Sequence, residues 1–172
     1  MKITQKDNGF ALTELLIIIA ASLALVVISL VAVNPAKLMQ NARDNQRFKD
    51  IVGLKNAVNL YLADNNDFGT LEGPYYSNDV TFSDDKTRSL NNGKGWLPVN
   101  FTKVSTGASI KALPLDPLNN EINFYSMAIS RQHKTYEINL HFEKTENIKK
   151  EITDGGNNPN RYELGTDLTI LP

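Results

Sequence analysis

Residues 15–33, LLIIIAASLALVVISLVAV, run nineteen positions without a charge. As a helix they would span roughly 28 Å, close to the thickness of a bilayer's hydrocarbon. The rest of the 172-residue chain is polar, so its 41% hydrophobic content hides one concentrated apolar block. A secretory signal peptide is one reading, since Lys2 and Lys6 make a basic start. Against it, Ser29-Leu30-Val31-Ala32-Val33-Asn34 offers no clean small-x-small cleavage pair, and the run exceeds a usual signal core. An ordinary single-span anchor is a second reading. Neither accounts for Glu14, which sits at the N-terminal edge of the run after Phe10, Ala11, Leu12 and Thr13. A carboxylate facing lipid costs roughly 3 kcal/mol unless paired. In a first helical turn at the interface, by contrast, the helix dipole favours it.

The stretch Gly9-Phe10-Ala11-Leu12-Thr13-Glu14-Leu15-Leu16 resembles the processing motif of type IV prepilins and type II secretion pseudopilins, whose typical form is G-F-T-L-[IV]-E-L-L. Ala11 and Thr13 depart from that form; the other six residues match. The resemblance implies cleavage after Gly9 by a membrane prepilin peptidase, then N-methylation of the new terminus at Phe10. Residues 1–9 become a leader whose Lys2 and Lys6 hold it on the cytoplasmic side. It also implies assembly through Phe10 and Glu14. The Phe10 amine of one subunit meets the Glu14 carboxylate of its neighbour inside an apolar filament core, where the pairing fixes the axial offset.

Pro35 lacks a backbone donor and is expected to loosen or kink the helix after Asn34. In residues 36–64, Ile51, Leu54, Val58, Tyr61 and Leu62 recur at helical spacing, which makes an amphipathic helix with a core-facing stripe. From Phe10 to Asp64 a continuous helix would be roughly 80 Å long. The charged first half carries Lys37, Arg43, Asp44, Arg47, Lys49 and Asp50 and reads either as a solvated face or as a face turned to neighbouring subunits. Arg43 and Arg47, one turn apart, could meet phosphates. Ala20 and Ala24 permit close helix approach.

Residues 65–96 have loop composition, with Tyr75, Tyr76, Phe82 and Trp96 as pins to a core and Asp79, Asp84 and Asp85 on a solvated surface. Residues 135–143, TYEINLHFE, alternate as a half-buried strand with Tyr136, Ile138, Leu140 and Phe142 on one side. Residues 122–130 are its partner across a turn at 131–134. Val99–Val104 is a weaker strand and 161–170 an end strand. His133 and His141 read as bystanders. Pro114-Leu115-Asp116-Pro117 resembles the turn before the hairpin in pseudopilins and several cysteine-free pilins. Residues 154–167 look like that group's C-terminal region.

Near-neutral balance, 18 basic against 19 acidic residues, gives no pull toward nucleic acid. The chain has no cysteine, which excludes disulfides and thiolate sites. No Ser-His-Asp spacing, phosphate loop or His-Glu-x-x-His motif stands in the sequence, so no catalytic residue is assigned and the chain reads as a non-enzyme. No metal or cofactor is expected, with one opening. Asp154, Asn157, Asn158 and Asp167 are oxygen donors in a glycine-bearing loop, and the family resemblance raises calcium there. Against it stands an ordinary Asp-Gly turn. Asn100-Phe101-Thr102 fits the generic glycosylation pattern.

The expectation is an α+β, pilin-like chain. Residues 1–9 form the leader, 10–35 a transmembrane and filament-core helix half, and 36–64 an amphipathic half packed on a small antiparallel sheet. Residues 65–172 form a globular β-rich domain. Its function is that of a structural subunit of a type IV pilus-like filament. Two alternatives stay open: a type II secretion pseudopilin, and a single-pass anchored binding domain that does not polymerise. The partners implied are further copies of itself in a helical homopolymer, the prepilin peptidase, the pilus assembly machinery and the membrane, with no specific nucleic acid. Before assembly the chain is a single-pass protein of the cytoplasmic membrane; afterwards it is part of an extracellular filament at the cell surface.

Overall fold

The computed structural model describes residues 12–107 and 109–172. Its contacts divide the chain into two units, with the boundary between Met39 and Gln40.

In the N-terminal unit, helix α1 spans Leu12–Val33. It stops because Asn34 takes a left-handed backbone (φ 45°) and Pro35 follows. Asparagine tolerates that region better than most residues. The side chain of Asn34 accepts from the backbone N–H of Lys37 at 3.3 Å, so it caps the start of helix α2, Pro35–Asn65. Proline is well placed in a first turn, where its missing donor has no partner to lose. The expected loosening at Pro35 is therefore a full interruption: there are two helices rather than one continuous rod.

The second unit, 40–172, is an α+β fold. Four strands lie in the order β1 (Gly73–Tyr76), β2 (Ser126–Ser130), β3 (Thr135–Leu140) and β4 (Tyr162–Gly165), and every pair is antiparallel. The 131–134 turn closes the β2–β3 hairpin at Ser130↔Thr135, with Lys134 at φ 56°. The expected period of two holds in β3: Tyr136, Ile138 and Leu140 point inward, followed by Phe142. They meet Met127 and Ile129 of β2 and the stripe Ile51, Leu54, Ala57 and Val58 of α2. Short helices α3 (Asp85–Arg88) and α4 (Thr145–Glu151) complete the unit.

Several boundaries differ from the sequence expectation. The 65–96 segment is not all loop, because Gly73–Tyr76 forms an edge strand, where Pro74 is tolerated. Trp96 is buried, and Tyr75 and Phe82 pack on the core, but Tyr76 stays exposed on the opposite face. Of 122–130 only the second half is strand. The Asn120 side chain accepts from the N–H groups of Ile122 and Asn123 and turns the chain first. Val99–Val104 is not a strand: Asn100 accepts from the Thr102 N–H and caps a 3₁₀ turn over Phe101–Lys103. Of 161–170 only Tyr162–Gly165 pairs. Beyond it the N–H groups of Ile170 and Leu171 donate to a carboxylate oxygen of Glu137, and the chain crosses the sheet's outer face. Glu137 and Asn139, on the other side of the strand from Tyr136, Ile138 and Leu140, are buried as well.

Candidate functional site

Helix α1 is the first candidate. Leu12–Ser29 is long and apolar enough to cross a membrane, and none of it is buried. Its leucines, isoleucines and valines are exposed all round the helix. Even its serine hydroxyls turn inward, Ser22 donating to the Ile18 carbonyl at 2.7 Å and Ser29 to the Leu25 carbonyl at 2.8 Å. That leaves an apolar surface, which in water is a large hydrophobic patch without cover. Glu14 stands in the first turn of α1, on its exposed surface. The expected cleavage and methylation residues, Gly9 and Phe10, lie outside the described residues.

The second candidate is a buried ion cluster in the globular unit. Arg47 is fully enclosed. Its Nε and Nη2 donate to the two oxygens of Asp116 at 2.6 and 3.0 Å, a bidentate fork. Its Nη1 donates to Asp44 at 2.9 Å and Glu143 at 2.6 Å. Glu143 also takes a fork from Arg43. Asp44 reaches on to the backbone N–H groups of Glu143 and Lys144 and to the amide of Asn147. Burial works against the Arg47 charge, yet Asp116, then Glu143 and Asp44, hold its pKa above the ordinary arginine value. Arg43 and Arg47 together hold the Glu143 carboxyl below the usual range. These residues therefore form neither a solvated face nor a phosphate site, and Arg47 and Asp44 are not available to neighbouring subunits. The cluster ties the first turns of α2 in the globular unit to the Asp116 turn and to the end of β3.

The loop proposed for calcium uses its oxygens locally. Asp154 accepts from Gly156 N–H at 2.9 Å and Glu163 N–H at 2.7 Å. Asn158 accepts from Asn160 N–H, and Asp167 from Thr169. Among the described residues, no group of three or more histidines and carboxylates is placed to hold a metal. What the loop does build is a close carboxyl pair. Glu163 packs against Gly156, where any Cβ would collide with its carboxylate, and accepts from Asn158 N–H at 3.0 Å. Burial first, then the neighbouring Glu137, pushes the Glu163 pKa up to about 7.

His141, expected to be a bystander, lies 3.2 Å from Glu151 and 3.1 Å from the Asn160 carbonyl. The hydrogen bond to Glu151 raises its pKa. Ser130 and His133 touch at 3.2 Å in the exposed hairpin turn. Among the described residues no carboxylate bonds that ring, so the pair is not the start of a triad.

Arg47, Asp116 and Glu143 were missed as a set, although one signal was available. Stepping back along α2 from Val58 through Leu54 and Ile51 by fours and threes lands on Arg47 and Asp44.

Comparison with known proteins gives no match: no family model, no curated protein and no solved structure is similar to this chain.

Proposed function

We propose that the chain is a pilin-like structural subunit that polymerises into a type IV pilus-like filament. In this reading prepilin peptidase cleaves after Gly9, Phe10 becomes the methylated N-terminus, and α1 holds the subunit in the cytoplasmic membrane. The pilus assembly machinery then draws it into a cell-surface homopolymer whose core is made of α1 helices. The subunit performs no catalysis and binds no specific nucleic acid. The observation that carries the reading is α1 itself. It is apolar on every side, with none of Leu12–Ser29 buried, and bears one carboxylate in its first turn, four positions after Phe10. A membrane anchor needs the apolar surface but not the carboxylate; a filament core uses both, the carboxylate meeting the Phe10 amine of the next subunit.

A type II secretion pseudopilin is the second reading. The cysteine-free globular unit favours it, with its Asp116-Pro117 turn fixed on Arg47.

Mass spectrometry of assembled material tests both readings against the anchored, non-polymerising alternative. A mass beginning at Phe10 is expected. An intact Met1, or a cut after Ala32, overturns the proposal. Glu14→Leu is expected to insert in the membrane and to be cleaved, yet to lose most filaments, because a buried amine without a partner costs roughly 3 kcal/mol or more. Filaments in normal amount from Glu14→Leu alone would make Glu14 an interfacial helix-start residue and nothing more.

A further inference from the structure

The outer face of the sheet carries a cross-strand row of Tyr76, Ser126, Asn139 and Glu163, one residue from each strand. The C-terminal segment covers Glu137 in the adjacent row but leaves part of this one open. A cavity of about 160 Å³ remains above Ser126 and Asn139, walled by Tyr76, Phe124, Arg161 and Leu171. A wider groove of about 440 Å³ shares Tyr76, Leu171 and Pro172 with it and continues along β1 and β2.

Three groups here have bonding capacity that the protein does not use. The Arg161 guanidinium lies over the Phe124 ring, its Cζ 4.3 Å from the centroid, and Nη1 donates to the Ile122 carbonyl at 3.1 Å. Among the described residues its Nε and Nη2 have no hydrogen-bond partner, and no carboxylate forms an ion pair with it. Burial lowers its pKa against the opposing pull of Glu151 and Asp116, neither of which forms an ion pair with it. Asn139 is 2% exposed and its Oδ1 has no partner, a costly state for a buried amide. Tyr76 is 40% exposed and sits edge-on to Phe124 at 5.9 Å. The nearest acid in the row, Glu163, is turned away onto Asn158 and Gly156.

A fixed fork with no acid in contact asks for a carboxylate. A buried amide beside a serine asks for groups that both donate and accept, and an exposed ring asks for an apolar face. We propose that this cavity binds the sugar-acid residues of an acidic polysaccharide. The uronate carboxylate takes the Nε/Nη2 edge of Arg161, its hydroxyls bond Asn139 and Ser126, and a C–H face of the ring lies on Tyr76. The adjoining groove holds the next sugar. The site belongs wholly to the globular unit and does not rest on polymerisation.

The test uses the full chain in detergent micelles, titrated with trimers of galacturonate and of mannuronate, each against its methyl ester. The ester keeps every hydroxyl and removes the charge. At least one acid trimer is expected to bind with Kd of about 1 mM or tighter, and its ester about tenfold or more weakly, the worth of a charged hydrogen-bonded pair. Arg161→Gln should bring the acid down to the affinity of the ester and leave the ester unchanged. Tyr76→Ala should weaken both equally. Absence of saturable binding by either acid, equal affinity for acid and ester, or tighter binding of an acidic tripeptide would overturn the proposal. If Arg161→Gln does not fold, the acid-to-ester ratio in the unaltered chain still decides.

Discussion

The two N-terminal helices invert the usual rule in opposite ways. Helix α1 turns leucine, isoleucine and valine outward from Leu12 to Ile28, whereas α2 carries a buried arginine and a buried aspartate. In α1 the apolar surface from Leu12 to Ser29 is long enough to cross a membrane and is not buried. In α2 the charges are enclosed because partners from sequence positions 116 and 143 come to meet them. Exposure in the first helix and burial in the second therefore mark different uses. The first helix leaves its apolar surface uncovered; the second closes the globular unit on itself.

The largest expected effect lies on the buried side of that contrast. Arg47→Met leaves Asp44, Asp116 and Glu143 together without their shared cation. Removing one member of a buried ion cluster typically costs about 3–5 kcal/mol. The globular unit should lose most of its stability, read as a fall in melting temperature of roughly 10 °C. A fall under about 2 °C would mean that the enclosed charges contribute little and that the apolar stripe from Ile51 onward holds α2 alone.

A smaller effect, of opposite sign, comes from the carboxyl pair. Because the folded pKa of Glu163 is raised to about 7, its contribution to stability is present below the ordinary glutamate value and is lost as pH rises through about 7. Glu163→Gln should therefore melt higher than the unaltered chain at pH 8, by roughly 3–6 °C, with the gap closing by about pH 5. A gap independent of pH would show that the Glu163 carboxyl is not held above its ordinary range.

The smallest effect concerns His141, which is part-exposed. Its raised pKa means that the Glu151 pairing stabilises fully below about pH 6.5 and fades as pH climbs past the folded value. His141→Gln should lower the melting temperature by about 1–2 °C at pH 5.5 and not at pH 9. Equal losses at both pH values would make the ring a packing element only.

What could be read from the sequence was whatever repeats along one element. The nineteen uncharged residues give α1, the alternation at Tyr136, Ile138 and Leu140 gives β3, and Ile51, Leu54 and Val58 give the inner stripe of α2. Pairing between distant segments left no such trace. Asp116 looks like a turn residue, and nothing local says that its carboxylate receives Arg47 from 69 positions earlier. Glu137 reads as solvated because it alternates with core residues; only the return of Ile170 and Leu171 buries it. The cavity beside Asn139 depends on where that return stops, a tertiary outcome that no periodicity encodes. Short strands such as Gly73–Tyr76 escape notice because four residues with a glycine and a proline carry too little pattern.

The Arg47 cluster also has a mechanical meaning. A tug entering the globular unit along α2 from its N-terminal side meets Arg43 and Arg47 before it meets Ile51. Two guanidinium forks, one on Asp116 and one on Glu143, must shear before the apolar stripe begins to peel. Such forks are short-ranged and stiff, while apolar contacts yield gradually. The order along the chain thus places a brittle clamp ahead of a compliant seat, and load arriving through α2 is stopped at the clamp until it breaks.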